Sequence, residues 1–402
     1  MGKRELLLIL GFAVVGTLVY QLTARPSAES SSHFSVNAVV DHLRRAIRGN
    51  QAHAEVVTSD DHPVSPATTE VRVVFPAGNA ESLTIIGEDR PDVASELTVW
   101  SNGFDDGEAQ RLAKATGLKQ SEAGGRMTFT LTFPREARQR ANIVLRVPNS
   151  LRFGVARYGG RLIVTGTREV ETVDSRGEAT IRNIAGKVTA SHRGGELTLG
   201  DLGALKLTAN GTDVKLSRVH GDATIQARGG EVNASELEGA VDIEGNNTDI
   251  TVEGTGGSQS PVHVTATNGS VRIRGARSDT RVDARNAEVI LEVALAAPIA
   301  VYSEGSESIE LTAPRGGFQI EAISTAGGQI TAPASWPAVK TEGKEQHVSG
   351  AVNGGGPIIS LRSTEGEIVV RNAGQPASAE APAPPRPPRP PAPKLERKLE
   401  SR

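Results

Sequence analysis

Residues 221–238 read GDATIQARGGEVNASELE, and the stretch is nearly one phrase written twice. GDATIQARG and GEVNASELE each begin with Gly, then an acidic residue, then two small or aliphatic residues separated by a polar one. Residues two apart on a strand face the same side, so each nine-residue unit aims an apolar pair inward. The pair recurs on either side of the quoted stretch. Before it stand Ala179/Ile181, Val188/Ala190, Leu197/Leu199, Leu205/Leu207 and Val214/Leu216; after it, Val241/Ile243 and Ile250/Val252. Alternate units carry one further aliphatic residue: Ile184, Leu202, Val219 and Leu237. The units between them end in turn chemistry, as at Asn210-Gly211, Arg228-Gly229 and Asn246-Asn247. The period is therefore about 18 residues, two strands per turn.

One such turn has no partner for its apolar face, but stacked turns bury each other's. The spacing predicts an all-β protein, a parallel β-solenoid drawn as a right-handed β-helix, with strands ~4.8 Å apart along the axis. Val214, Val232 and Ile250 should lie one above another. A narrow interior suits Ala, Val, Ile and Leu, and the chain holds only two Trp, three Tyr and eight Phe among 402 residues. Gly and Asn supply the left-handed backbone that tight corners need.

The rhythm loosens but persists to about residue 333. A Gly-rich, polar break around Trp336 reads as a loop, and GPIISLRSTEGEIVVRN then restores a last coil with Ile359/Leu361 and Ile368/Val370. The solenoid is expected over 156–372. Ahead of it, TEVRVVF, ESLTIIG, SELTVWS, RMTFTLTF and NIVLRVP alternate apolar with polar residues, with helical composition at Asp106–Leu118. Residues 66–155 thus read as a β-rich lead-in domain. Residues 23–65 read as a polar tether. Within it, Val36, Val39, Val40, Leu43 and Ile47 have the spacing of a short amphipathic helix. The end, 373–402, is a Pro-rich disordered tail, extended and semi-rigid where prolines are dense.

The first residues bear on compartment. MGKRE precedes an uncharged apolar run from Leu6 to Tyr20, close to the ~20 residues of a spanning helix. Lys3 and Arg4 favour a cytoplasmic amino end. Residues 1–22 are read as a cytoplasmic stub and transmembrane signal-anchor; a cleaved signal peptide is the competing reading, with LTA before Arg25 as a poor cleavage site. Either way the remainder is exported. The expected location is the cell inner membrane, single-pass, with the C-terminal part periplasmic or extracellular.

Three passages carry a likeness: NIVLRVPNSLRFGVARYGGRLIVTG, the Gly-x-Val-x-Ile-like units between Gly177 and Gly254, and GGPIISLRSTEGEIVVR. Together the chain resembles the bacterial β-strand-repeat family known as "putative adhesin", a domain of unknown function. The resemblance spans about 66–372 and implies an exported, membrane-tethered solenoid with no established catalytic residues.

No residue pattern points to a reaction. Cysteine is absent, which excludes disulfides and thiolate chemistry. The formal net charge of -3 and the few aromatics argue against nucleic acid as a partner. Asp213, Asp222, Asp242 and Asp249 read as solvated outward residues, with no pair set apart for glycoside cleavage. His192, His220 and His263 have no zinc spacing, and HExxH, GxSxG and Walker patterns do not occur. His53 and Asp60-Asp61-His62 form a loose cluster in the tether. The sequons at Asn210, Asn246 and Asn268 and the Arg-Gly-Gly triplets at Arg193 and Arg228 read as corner chemistry; Asn233 heads a fourth sequon. Pro384–Arg389 fits a PxxPxR ligand but reads better as a spacer.

The expectation is a non-enzymatic, membrane-anchored cell-envelope protein, adhesin-like, whose solenoid presents a repetitive polar surface for binding or scaffolding. Catalytic, cofactor and metal residues: none. Partners would be the membrane and a cell-wall or surface polysaccharide or another envelope protein. The alternatives are a carbohydrate-active enzyme, a lyase or hydrolase needing three or more carboxylates in a groove, and a self-assembling scaffold with uncovered apolar ends.

Overall fold

The computed structural model describes residues 52–76, 80–134, 139–255 and 260–373. The expected anchor, the amphipathic helix and the Pro-rich tail lie outside them. No helix among the described residues is long and apolar enough to cross a membrane.

The described chain is almost entirely strand. Its first part runs β1 (Ala52–Pro63), β2 (Glu70–Val74), β3 (Ser82–Glu88), β4 (Asp92–Gly103), α1 (Asp106–Ala115), β5 (Gly117–Ala123), β6 (Arg126–Thr132) and β7 (Gln139–Pro148). The middle continues with β8 (Arg152–Ala156), β9 (Arg161–Thr165), β10 (Glu169–Arg176), β11 (Ala179–Val219), β12 (Ala223–Arg228), β13 (Glu231–Leu237), β14 (Val241–Thr255), β15 (Val262–Ala276) and β16 (Thr280–Val293). The last part holds β17 (Ile299–Glu304), β18 (Ile309–Thr312), β19 (Phe318–Ser324), β20 (Ile330–Thr331), β21 (Lys340–Glu342), β22 (Glu345–Val352), β23 (Ile358–Ser363) and β24 (Ile368–Arg371).

Two parallel ladders result. On one, Ala223 aligns with Leu205 and Val241, and the column continues through Val262, Thr280 and Ile299. On the other, Val214 aligns with Val232, Val232 with Ile250, and Ile250 with Val271, as the repeat predicts. All four are at most 1 % exposed. Apart from Thr280, the inward positions of these columns meet an aliphatic side chain one coil away, so apolar area is removed from water along the axis.

Gly221 is there for space. A Cβ would stand 2.5 Å from the Gly203 carbonyl oxygen, whose partner is the Gly221 N–H at 2.6 Å. Gly229 and Gly230 instead turn the corner, at φ +68° and +84°. The sequence places left-handed residues at this corner only. The opposite corner is also left-handed, at Asn183, Asp201, Arg218 and Glu236 (φ 52–57°).

The ends depart from chain order. β2 lies between β6 and β8, and β3 between β7 and β9. The first coil in sequence is therefore second in space, and β6–β7 forms the outermost parallel coil. The far end repeats the device. β23 lies between β17 and β19, and β24 between β18 and β20. Strands 66–155 and 156–372 thus interleave and share one continuous core.

Antiparallel strands then close both outer coils. β5 covers β6 and β4 covers β7. α1, capped by Asp105 accepting from Glu108 N–H and by Glu108 accepting from Phe104 N–H, buries Ala109, Leu112 and Ala113. β1 adds to β4: His53 contacts Asn102 and His62 contacts Ser95, the opposite order along the two strands, so it runs antiparallel. Residues 52–63 therefore form a strand where the sequence suggests tether. At the other end the expected loop around Trp336 holds a hairpin instead. β22 pairs antiparallel with β19, and β21 with β22. Trp336 is buried edge-on against Phe318 and donates from Nε1 to Asn372 at 2.9 Å. Both segments are polar because edge strands face water, which hides their alternation.

Candidate interaction surface

Outward positions of the ladders form rows of side chains one strand apart. Asp213, Glu231 and Asp249 each stand one residue before an inward Val or Ile of one ladder, with Glu231 aligned to Asp249. Asp222 and Asp242 stand on the other ladder, where the Asp222 carboxylate accepts from Ala240 N–H at 3.1 Å. The four aspartates do not converge.

Charges on these rows mostly pair along the axis. Lys215 meets Glu196 (2.7 Å), Arg274 meets Glu253 (2.8 Å), and Arg285 meets Glu304 (2.8 Å), each reaching one coil away. At the left-handed corner Arg218 donates to both Asp201 oxygens, from Nε and from Nη2, the latter at 2.8 Å. Exposed pairs, screened by water, contribute little to stability. Their effect is to leave the rows polar but nearly neutral, in keeping with the near-zero net charge.

The histidines separate. His192 is buried, with Nε2 on the Gly177 carbonyl at 3.1 Å; burial pushes its pKa down, and hydrogen bonds to Gly177 and Gly194 offset part of this. His220 pairs with Glu238 at 3.0 Å. His263 sits between Asp242 (3.6 Å) and Asp283 (3.2 Å) on open surface. The hydrogen-bonded Arg281 guanidinium holds Asp283 below the usual carboxylate range. His53 and His62 are drawn into β1, His62 edge-on to Phe129. No group of three or more His, Asp or Glu suited to a metal ion occurs among the described residues.

The sequons at Asn210, Asn246 and Asn268 stand at corners: Gly211, Asn247 and Asn268 take φ of 57°, 51° and 57°. Asn233 lies mid-strand, aligned with Lys215 and Thr251.

One feature escaped the sequence. The outer face of the N-terminal cap carries an open cleft of about 720 Å³, lined by residues of β1, β4 and β7 with Glu81. It contains Trp100, one of two tryptophans in the chain. Outward placement of Trp100 in SELTVWS is legible from the alternation. Its neighbours come from 53–55, 81 and 140–142, and no local pattern links those positions.

Residues 109–289 match the family model described as Toastrack DUF4097. No curated protein matches the chain. Among solved structures, a "putative cell adhesion protein" from Clostridium sporogenes is 9 % identical, covering 80 % of this chain and 100 % of that one, with a TM-score of 0.19. A "putative adhesin" from Parabacteroides distasonis is 9 % identical over 79 % and 97 %, with a TM-score of 0.31. One from Bacteroides fragilis is 10 % identical over 79 % and 97 %, with a TM-score of 0.22.

Proposed function

We propose that this chain, whose residues 109–289 carry the Toastrack DUF4097 match, is a non-enzymatic cell-envelope protein. It is held at the inner membrane by residues 1–22, and its exported solenoid presents repeating polar rows to a partner. The observation that carries the reading is the register. From Val214 through Val232 and Ile250 to Val271, coils align residue for residue, so Lys215, Asn233, Thr251 and Arg272 stand in one outward row. A row of fixed pitch suits a partner that is itself repetitive, such as a cell-wall or surface polysaccharide, or another envelope protein. Weak contacts then add along the axis.

Two observations weigh against the alternatives. On the solenoid the acidic residues singled out lie in axial lines and ion pairs, whereas a polysaccharide lyase or hydrolase gathers carboxylates in a groove. The outer coils are closed by antiparallel strands, whereas an end-to-end scaffold needs open edges.

The full-length protein, expressed in cells, tests the reading. It should sediment with the inner membrane, be cut by protease added from the exported side only, and be retained by isolated cell-wall polysaccharide. A soluble cytosolic protein, or one that no envelope fraction retains, would overturn it.

A further inference from the structure

The cap cleft differs from much of the solenoid surface. There, Arg161, Lys215, Arg218, Arg274 and Arg285 each have a carboxylate partner. Around the cleft, Glu55, Glu81 and Arg140 enter no ion pair among the described residues, and no described residue accepts from the Trp100 indole N–H. Trp100 and Arg140 face each other across β4 and β7, and Asn142 lies one outward position further along, opposite Thr98. One side-chain oxygen of a residue lining the cleft is buried without any partner, Asn142 Oδ1, on the same outward face of β7 as Arg140. Buried polar atoms are nearly always satisfied, so such an orphan marks a place where a donor is missing.

We infer that this cleft is a binding site for a neutral, hydroxyl-rich saccharide. Its volume falls within the ~300–1,000 Å³ of small-ligand sites. A sugar ring has an apolar C–H face and a rim of hydroxyls. The Trp100 ring supplies a flat apolar platform with a polar N–H at one edge. Asn142 Oδ1 and the Glu55 and Glu81 carboxylates accept from hydroxyls, and Arg140 donates to ring or glycosidic oxygens. Two carboxylates against one guanidinium make the site net negative, which selects neutral sugars over uronates. The site lies on the cap sheet, apart from the solenoid rows, and stands whether or not those rows bind anything.

The test uses the full chain in lipid nanodiscs, free of sugar-based detergent, with maltohexaose and chitohexaose as neutral probes and oligogalacturonate as the anionic one. Isothermal titration should give saturable binding of at least one neutral hexamer. Trp100→Ala should weaken it by about tenfold or more, Glu81→Gln and Arg140→Gln by about threefold or more. Glu365→Gln, at an exposed bend away from both the cleft and the rows, should leave it unchanged. Should Trp100→Ala melt early by circular dichroism, the Glu81 and Arg140 variants, on side chains that hold nothing together, decide the matter. No binding of either neutral hexamer, tighter binding of the galacturonate, or binding indifferent to all three cleft variants would overturn the site. Cell-wall retention that survives Trp100→Ala but fails with row variants would leave the solenoid reading intact while removing this one.

Discussion

Arg72 on β2 and Glu171 on β10 belong to strands separated by β8, yet Arg72 Nη2 donates to Glu171 Oε2 at 2.8 Å. The residue between them in register is Gly154. A Cβ there would stand 2.9 Å from Glu70 Oε1 and 3.1 Å from Arg72 Nε. The missing side chain is what lets the arginine cross. Arg72 and Arg126 also hold Glu70, at 2.8 and 2.9 Å, so four charges fasten the first coil in sequence between its spatial neighbours. Gly154→Val should push this network apart and destabilise by ~1–3 kcal/mol, as overpacking does. Gly154→Ala should cost less, since the nearby atoms are the far ends of flexible chains. Urea denaturation of the two variants beside the parent checks the order; a Val variant as stable as the parent would refute the account.

The same network sets an acid limit. Burial raises the Glu70 pKa, but hydrogen bonds and charges from Arg72 and Arg126 outweigh it and leave the carboxyl below its ordinary value. A carboxyl depressed on folding stabilises the native state above its unfolded pKa, ~4.3, and that stability drains away as pH falls through the folded value. Glu70→Gln should flatten the fall in melting temperature below about pH 4.5 while lowering stability at neutral pH. An unchanged acid limb in the variant would count against Glu70 as its source.

What the sequence discloses and what it hides divide along a physical line. The inward pairs and the 18-residue period are legible because burial imposes strict alternation, as at Val214, Val232 and Ile250. The Gly229-Gly230 corner is legible because glycine advertises its backbone. The corner at Asp201, Arg218 and Glu236 is not, since tertiary stacking forces ordinary residues to φ near +53°. Coil order at the ends is hidden too. Any coil offers the same Val and Ile to a neighbour, so nothing local tells β2 to pair with β6 as well as β8. The cap cleft is hidden for the same reason: it is assembled from three strands distant in sequence.

His192 acts in a different pH window. It is 1 % exposed and its pKa lies below the ordinary 6.5, mainly from burial. Above that value folded and unfolded chains both hold it neutral, so it contributes no pH dependence. As pH falls through ~6.5 the unfolded chain takes up a proton that the folded one refuses, and stability declines. The decline levels off below the folded value. Melting temperatures between pH 8 and 5 should show this step, and His192→Gln should remove it; a step of equal size in the variant would assign it to another group.

The stacked core makes a prediction of contrast. Val232 is fully buried between Val214 and Ile250, whereas its neighbour Asn233 points outward. Val232→Ala should cost ~2 kcal/mol through lost burial and the cavity left behind. Val232→Asp, an unpaired charge in a dry interior, should prevent the middle coils from forming. Asn233→Asp should stay within ~0.5 kcal/mol of the parent. Denaturation monitored by circular dichroism at 218 nm, a wavelength of strand signal, reads all three, and an Asn233 effect as large as that of Val232 would contradict the assigned facing.

Closure of the C-terminal end is itself testable. The outermost parallel strand there is β19, and β22 takes its free edge in antiparallel register from Phe318–Val352 to Ser324–Gln346. β21 then becomes the edge, and its residues Lys340, Thr341 and Glu342 are all exposed. A short strand flanked by opposite charges is a poor template for another chain. Replacing 340–352 by a short Gly-Ser linker would bare the β19 edge, whose alternating residues Phe318, Ile320 and Ala322 belong to the core. That variant should associate as concentration rises, whereas the parent should keep one mass under the same conditions by light scattering. Lys340→Val with Glu342→Val should move part of the way toward association, because it leaves the hairpin in place and removes only the charges. If the linker variant keeps a single mass at every concentration, β22 is not what prevents growth at this end. If the parent itself associates, the closed ends do not keep the chain single, and the scaffold reading gains over the one proposed.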